Sequence, residues 1–440
     1  MTTREDGKSP ASLARTLGRS TATLMTAAMI VGTGIFGAIG PATAKAGSGI
    51  LLAMTIGGIV ALFTGISAAQ LGINYPKEGG AFTWARELNH ETIGFIAGMA
   101  YLGKALFSLS VISLAFAEYS RQIVPTLPIP LLAASVVVAV LVLNLFNVSL
   151  TTKVLIGLML VNVSLLGLYV ALAAPAVTVA HFSNPLGDNG VVGVFAGAAL
   201  FFWTWDGFMR TAIMAGEVKN PRRTIPVAIL GGIGIAAVVF LAVGATTLGV
   251  LGPQSMGLDN VPLFRAATQA IGIWGGGLIL LTAWTASLSE LVGDMLAASR
   301  VTFTLGEAGE LPGWLGKVHS GARVPRNAVL VLGLVVVVLV SIFNLRSVLA
   351  VASVFTLVWY IITHYSALQL HKEQRLTTPL FTWLGLAGCA ALFWSLPSWA
   401  SIIGLTTLAL LTGIRWLTLH RGKKLKTQHD RVPVATDLAQ

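Results

Sequence analysis

The first apolar stretch of this chain is interrupted at its centre. It runs over roughly residues 21–42 and meets no charged residue until Lys45, about the 20 residues that a helix needs to cross a bilayer. Yet Gly32-Thr33-Gly34-Ile35-Phe36-Gly37 places three glycines within six residues near mid-length. Each glycine weakens a helix by about 1 kcal/mol relative to alanine. A break inside hydrocarbon leaves backbone N–H and C=O groups with no water to pair with, so it survives only where those groups face protein, a cavity or a ligand. The pattern predicts a discontinuous membrane helix built around a solute site.

The rest of the chain agrees with a membrane protein of many spans. Hydrophobic residues make up 55% of the 440 and charged residues only 10%, where soluble domains carry about 25% charged; mean hydropathy is +0.82. Spans are expected at 21–43, 48–74, 92–118, 128–147, 153–175, 191–217, 225–251, 272–299, 327–343, 346–369, 379–395 and 399–417. The single cysteine, Cys389, excludes a disulfide within the chain and a thiol metal site. Residues 1–19 are polar, without the apolar core and small-residue cleavage site of a signal peptide, and are expected to form a cytoplasmic tail.

The net charge of +11 does not point to nucleic acid, because of where the charges fall. Lys45, Arg121, Arg265 and Arg346 lie in loops on one side of the expected spans, Lys104 and Arg210 lie inside spans, and every other Lys and Arg falls on the side of the termini. That asymmetry places both termini in the cytoplasm of a multi-pass protein of the cell membrane. The basic tail carrying Arg421, Lys423, Lys424, Lys426 and Arg431 serves either as a plain stop-transfer signal or as a contact to anionic lipid headgroups.

The sixth span holds a second anomaly, Trp203-Thr204-Trp205-Asp206-Gly207-Phe208, with a glycine beside an aspartate among aromatic residues. The interruptions at Gly32–Gly34 and Thr204–Gly207 then occupy corresponding places if spans 1–5 and 6–10 form two inverted repeats. The halves share no strong sequence identity, so the repeat is inferred from topology. The expected organisation is a tail at 1–19, a core of spans 1–10 at 20–370, peripheral spans 11 and 12 at 371–418, and a basic tail at 419–440.

Four stretches make the chain resemble the amino acid–polyamine–organocation family of permeases. They are Gly32-Thr33-Gly34-Ile35-Phe36, Tyr75-Pro76-Lys77-Glu78-Gly79-Gly80-Ala81-Phe82, Trp205-Asp206-Gly207-Phe208 with Glu217-Val218-Lys219-Asn220-Pro221-Arg222-Arg223-Thr224-Ile225-Pro226, and Ala297-Ala298-Ser299-Arg300 with Gly309-Glu310-Leu311-Pro312. Each is weak alone; the order and spacing are specific. Trp-Asp-Gly-Phe is similar to the Tyr-Asp-Gly-Trp form of the neutral L-amino-acid branch. The resemblance implies an all-α polytopic fold of about 12 spans, a five-plus-five inverted repeat of the LeuT-like kind with spans 1 and 6 broken.

It also implies that a substrate carboxylate sits on the amides of Thr33, Gly34 and Ile35, while its ammonium faces carbonyls of spans 1 and 6. Physics supports that arrangement, since amides at a half-helix N-terminus suit an anion and carbonyls at a C-terminus suit a cation. Phe36, Trp203, Thr204, Trp205, Asp206, Gly207 and Phe208 are candidates to wall the site, with Trp203 foremost; the alternative for the aromatics is plain packing.

Lys104, Asp206, Arg210, Glu290 and Asp294 lie well inside spans, where an ionisable group is costly unless paired or hydrated. Glu290 and Asp294 are four residues apart on one helix face, and at 1.5 Å per residue Arg210 and Asp294 lie at similar heights, each roughly 10 Å from the cytoplasmic end of its span. A buried network of Lys104 and Arg210 with Glu290 and Asp294 is expected, either as static ion pairs or as a coupling device. Asp206 would receive a substrate ammonium, carry a proton, or cap the second half-helix. Many relatives place a lysine midway along span 5; here Asn162 falls at that position, and Asn162, Ser287 and Ser289 offer oxygen donors to a sodium ion instead. Met209 stands where some relatives with cationic substrates carry an acid, which disfavours polyamines. His364 is expected near the headgroups, with proton transfer as its alternative role. Lys77, Glu78, Arg86 and Glu87 read as a solvated loop.

The expected function is secondary transport of small neutral amino acids by alternating access, spans 2, 6 and 7 rocking against 3, 4, 8 and 9. Its partners are the substrate, membrane lipid and a coupling proton or sodium ion, unless it exchanges substrates; the sequence carries no sign of an oligomeric state. No cofactor, metal or enzyme chemistry is expected, for the chain has neither a phosphate loop nor ligand-spaced metal residues. The rivals are an organic-cation transporter, a sensor that binds without transport, and a channel.

Overall fold

The computed structural model describes residues 17–76, 80–88, 90–146, 152–213, 218–317 and 325–429, with side chains to residue 418. Lys77, Glu78, Glu217 and Arg323 lie outside the described residues. Among the described residues the regular structure is helical apart from one isolated bridge, Leu17 to Val218. Span 1 is two helices, 1a (Arg19–Ile30) and 1b (Gly34–Ala46). Spans 2 to 5 are Ile50–Asn74, Glu91–Ser120, Ile129–Leu145 and Thr152–Ala173. Span 6 comprises 6a (Gly190–Phe202), a tightened 3-10 stretch (Trp203–Phe208) and 6b (Met209–Ile213). Spans 7 to 12 are Pro221–Leu251, Ile273–Glu307, Arg326–Ile342, Leu345–Leu368, Pro379–Trp394 and Ser398–His429. Every expected span coincides with a helix or a helix pair.

Local signals explain the ends. Proline stands in the first turn of spans 4, 7 and 11, where its missing N–H costs nothing. Asn344 caps span 10 by accepting the Ser347 amide. The short helices Pro253–Leu258 and Pro262–Ile271 cover the far end of 1b, with Gly40 against the Asp259 and Met256 carbonyls and Gly257 against Ala44.

The packing obeys a twofold rule that sequence identity does not reveal. Helix 1a packs on span 7 and 6a on span 2; span 3 packs on span 10 and span 8 on span 5; span 3 meets 4 and 9, and span 8 meets 9 and 4. Exchanging span n with span n + 5 maps each of these contacts onto another, as an inverted repeat requires. Spans 11 and 12 stand outside the exchange, against spans 2 and 10 and against spans 3 and 10 respectively. Span 12 is fastened by a two-pronged ion pair, Arg415 to Glu310 at 2.7 and 2.9 Å, with the Arg415 guanidinium over Phe95. Large apolar side chains such as Val138, Leu334, Trp383 and Ile402 remain bare on the outside, as a lipid-facing surface permits.

The two interruptions are not alike. In span 1 the backbone leaves the helix at Val31. In span 6 it stays helical and only tightens, so the Asp206 carbonyl still accepts the Met209 amide. The expectation of two comparable breaks is therefore met in position and corrected in form. Aromatic packing on both sides of Asp206 explains the difference: Trp205 is held by Phe201 and Phe240, and Phe208 stacks on Tyr360.

Candidate functional site

Spans 1 and 6 cross at their interruptions, backbone against backbone. A Cβ on Gly207 would collide with the Met29 carbonyl and the Ile30 nitrogen, and a Cβ on Gly34 would collide with Thr204. Helix 1b opens at this crossing. Its Phe36 and Gly37 amides bond the Thr33 carbonyl at 2.9 and 3.0 Å. The Thr33 amide donates to Glu290 Oε2 of span 8 at 2.6 Å. Those of Gly34 and Ile35 have no acceptor among the described residues, as the first N–H groups of a helix are left unpaired by its geometry. A carboxylate of the chain itself thus sits on one of the three amides expected to bind substrate.

The buried charges gather here, paired differently from the expected network. Lys104 of span 3 pairs with Asp206, with its ammonium 5.0 Å from the Trp359 ring centre and 5.4 Å from that of Tyr101. Tyr360 of span 10 donates to the Asp206 carboxylate. Arg210 pairs with Asp294, as their matched heights suggest. Glu290 pairs with backbone rather than with a cation. Height along a helix gives depth but not azimuth: Lys104 pairs with an acid of span 6 and lies over a ring of span 10, rather than pairing with an acid of span 8. Of the three roles open to Asp206, none is settled by its contacts: its carboxylate oxygens meet Lys104 and the Tyr360 hydroxyl.

Met29, Gly34, Ser108, Trp203, Thr204, Asp206, Gly207, Arg210, Glu290 and Asp294 line a narrow polar cavity with room for about one water molecule. Trp203 forms its wall and donates from Nε1 to Ser108 Oγ at 2.7 Å. The Thr204 hydroxyl is buried there without a hydrogen-bond partner. The other expected aromatics stand back: Trp205 lies on Gly57 and Gly58 of span 2, Phe36 meets Tyr119 edge-on, and Phe208 stacks on Tyr360. Asn162 accepts from Thr285 at 2.7 Å, and Thr33 donates to Ser287 at 3.3 Å, separate contacts of spans 5 and 1 with span 8. Ile35 is fully buried.

His364, one turn from the end of span 10, is wholly buried rather than open to the surroundings, held by Thr64 at 3.1 Å and Ser67 at 3.0 Å of span 2, with Gly385 of span 11 against its ring. Two polar positioning residues, Ser108 and Tyr360, were not foreseen. A serine and a tyrosine inside apolar spans carry no signal until the helices around them are placed.

The geometry is that of a closed, polar site at the crossing of two interrupted membrane helices, and the comparisons with known proteins agree. The profile described as "Amino acid permease" matches residues 21–424. The chain is 30% identical to an uncharacterized transporter of Mycobacterium tuberculosis over 97% of this chain and 98% of that one. It is 26% identical to a branched-chain amino acid permease of Bacillus subtilis over 82% of each. It is 27% identical to a chloroplastic cationic amino acid transporter of Arabidopsis thaliana over 76% of this chain and 62% of that one. With its family come the LeuT-like architecture and transport rather than enzyme chemistry: this chain belongs to the amino acid permease family.

Proposed function

We propose that the protein moves neutral L-amino acids across the cell membrane by alternating access, with its termini in the cytoplasm. The observation that carries this reading is the unpaired amide pair of Gly34 and Ile35 beside the unpartnered Thr204 hydroxyl. Such a group of donors suits a carboxylate, and Gly207 and Gly34 let it approach the backbone. The pairing of charges argues against an acidic substrate. Lys104 and Arg210 are each taken by an aspartate, which leaves no free cation for a second carboxylate. The branched-chain permease among the relatives fits this substrate class. Glu290, the one central carboxylate without a cationic partner, favours a second reading, a cationic substrate, in keeping with the cationic transporter among the relatives.

Liposome reconstitution tests both. Labelled L-leucine, L-alanine, L-arginine, L-glutamate and putrescine are offered outside, with and without internal amino acid and with and without a proton or sodium gradient. Accumulation or exchange of L-leucine or L-alanine is expected. Transport of L-arginine or putrescine alone moves the assignment to the second reading. Binding without transport of any of them overturns both in favour of a sensor.

A further inference from the structure

Glu290 occupies a place that the proposed substrate needs. Its carboxylate lies on the Thr33 amide at the start of 1b, a helix of 13 residues, and Gly32 leaves room for it, since a Cβ there would collide with its carboxyl oxygen. A carboxylate on a half-helix N-terminus satisfies an orphan amide and meets the positive end of the helix dipole. A substrate carboxylate bound across Thr33, Gly34 and Ile35 makes the same contact. Both cannot hold the Thr33 amide.

The charges around Glu290 decide what happens when the substrate arrives. Arg210 and Asp206 face it from span 6 and Lys104 from span 3; Asp294 stands one turn along its own helix. Both cations are held by aspartates. The cluster carries two cations and three carboxylates, and the 1b amides alone offset the third. A fourth carboxylate, the substrate's, finds no spare cation of the chain at the 1b amides, its own ammonium being directed to the carbonyls of spans 1 and 6. Two carboxylates a few ångströms apart in a site shielded from water do not both keep their charge. A second cleft, lined by Met29, Gly32, Leu155, Arg210, Ser289 and Glu290 among others, reaches Glu290 from the half of the protein where span 5 begins. Arg210, which lines both this cleft and the cavity, keeps 26% of its side-chain surface exposed.

Building on the proposed substrate class, we infer that Glu290 is a built-in surrogate for the substrate carboxylate, which the substrate displaces as a neutral acid, so that one proton binds with each amino acid. A proton from the cleft adds to the Glu290 carboxylate, the Thr33 amide passes to the substrate carboxylate, and, the substrate being a zwitterion, the cluster gains the one positive charge of the proton. On release the proton leaves Glu290 for the same aqueous phase as the substrate, and Glu290 retakes the amide. Substrate and proton therefore travel together. The Asn162, Thr285 and Ser287 oxygens play no part in the exchange.

The test uses the purified full chain in weakly buffered detergent with a pH-indicator dye, and L-leucine and L-alanine as separate probes. Binding of either is expected to take up about one proton per molecule bound at neutral pH, with a Kd that rises about tenfold per pH unit where Glu290 is ionised. E290Q is expected to take up no proton, to bind with a Kd flat in pH, and to bind more tightly than wild type at alkaline pH, because no charge is left to displace. The dye measurement on wild type decides the matter even if the variant does not fold. Binding of L-leucine or L-alanine without proton uptake overturns the surrogate role and leaves the proposed substrate class standing. Binding of neither, with L-arginine transported in vesicles, overturns the substrate class itself.

Discussion

Gly207→Ala is expected to reduce transport by roughly 10²-fold, the scale found when binding groups shift by about 1 Å, while the protein still inserts and folds. The argument is steric. Gly207 has an ordinary helical backbone in the 3-10 stretch, so alanine strains no dihedral. Its methyl group would instead overlap the Met29 carbonyl and the Ile30 nitrogen. Those are backbone atoms and cannot swing aside as a side-chain tip would, so span 6 must move off span 1 at the crossing. Overpacking of this kind costs about 1–3 kcal/mol, which a polytopic protein survives. The displaced crossing separates Trp203 and Thr204 from the 1b amides. Gly234→Ala is the control, for a Cβ on Gly234 meets nothing within 4 Å. Initial uptake rates in liposomes of matched protein content make the comparison. Equal loss in both variants would refer the defect to helix propensity rather than to the crossing.

The second large effect concerns the Lys104–Asp206 pair. Lys104→Met is expected to cost about 3–5 kcal/mol, since removing one partner of a buried ion pair leaves the other uncompensated. Asp206 would keep the Tyr360 hydroxyl but lose its cation. Asp206→Asn strands Lys104 above Trp359 and Tyr101, whose ring faces return only part of the loss, about 0.5–2 kcal/mol each. The double variant K104M/D206N is expected to regain most of the stability of the wild type, because neither charge is then left alone. Thermal unfolding in detergent, followed by tryptophan fluorescence, closes the cycle. Strictly additive losses would show that the two side chains do not stabilise each other. Transport is expected to stay low in the double variant even as stability returns, since the pair holds the tightened stretch of span 6 to the scaffold formed by spans 3 and 10.

Much of this architecture is legible along the chain because membranes simplify the problem. Hydrocarbon demands that backbone groups pair within each segment, so apolar length alone marks the spans, and charged loops separate them. The glycines of span 1 announce a break for the same reason. Span 6 shows the limit of that signal. Gly207 reads as a second break, yet the aromatic residues on either side find partners on spans 7 and 10 and keep the segment helical. The glycine instead serves a close crossing, which local sequence cannot distinguish from a kink. The burial of His364 is likewise hidden from local sequence. It stands near the end of a span in sequence, but spans 2 and 11 close over it.

The charged residues divide between the two levels. That five ionisable groups sit inside spans follows from the residue order, and so do the matched heights of Arg210 and Asp294, because rise per residue fixes depth. Which acid meets Lys104, and that Glu290 meets a backbone amide, depends on the rotation of each helix about its axis. Rotation is set by side-chain packing among many spans at once, and the near-uniform apolar faces of these helices leave little record of it in the sequence. By itself the order of residues determined the number of spans, the place of the interruptions and the family. The tertiary structure alone decided the partner of each buried charge, because a charge in hydrocarbon takes whichever neutralising group the packed helices bring within reach.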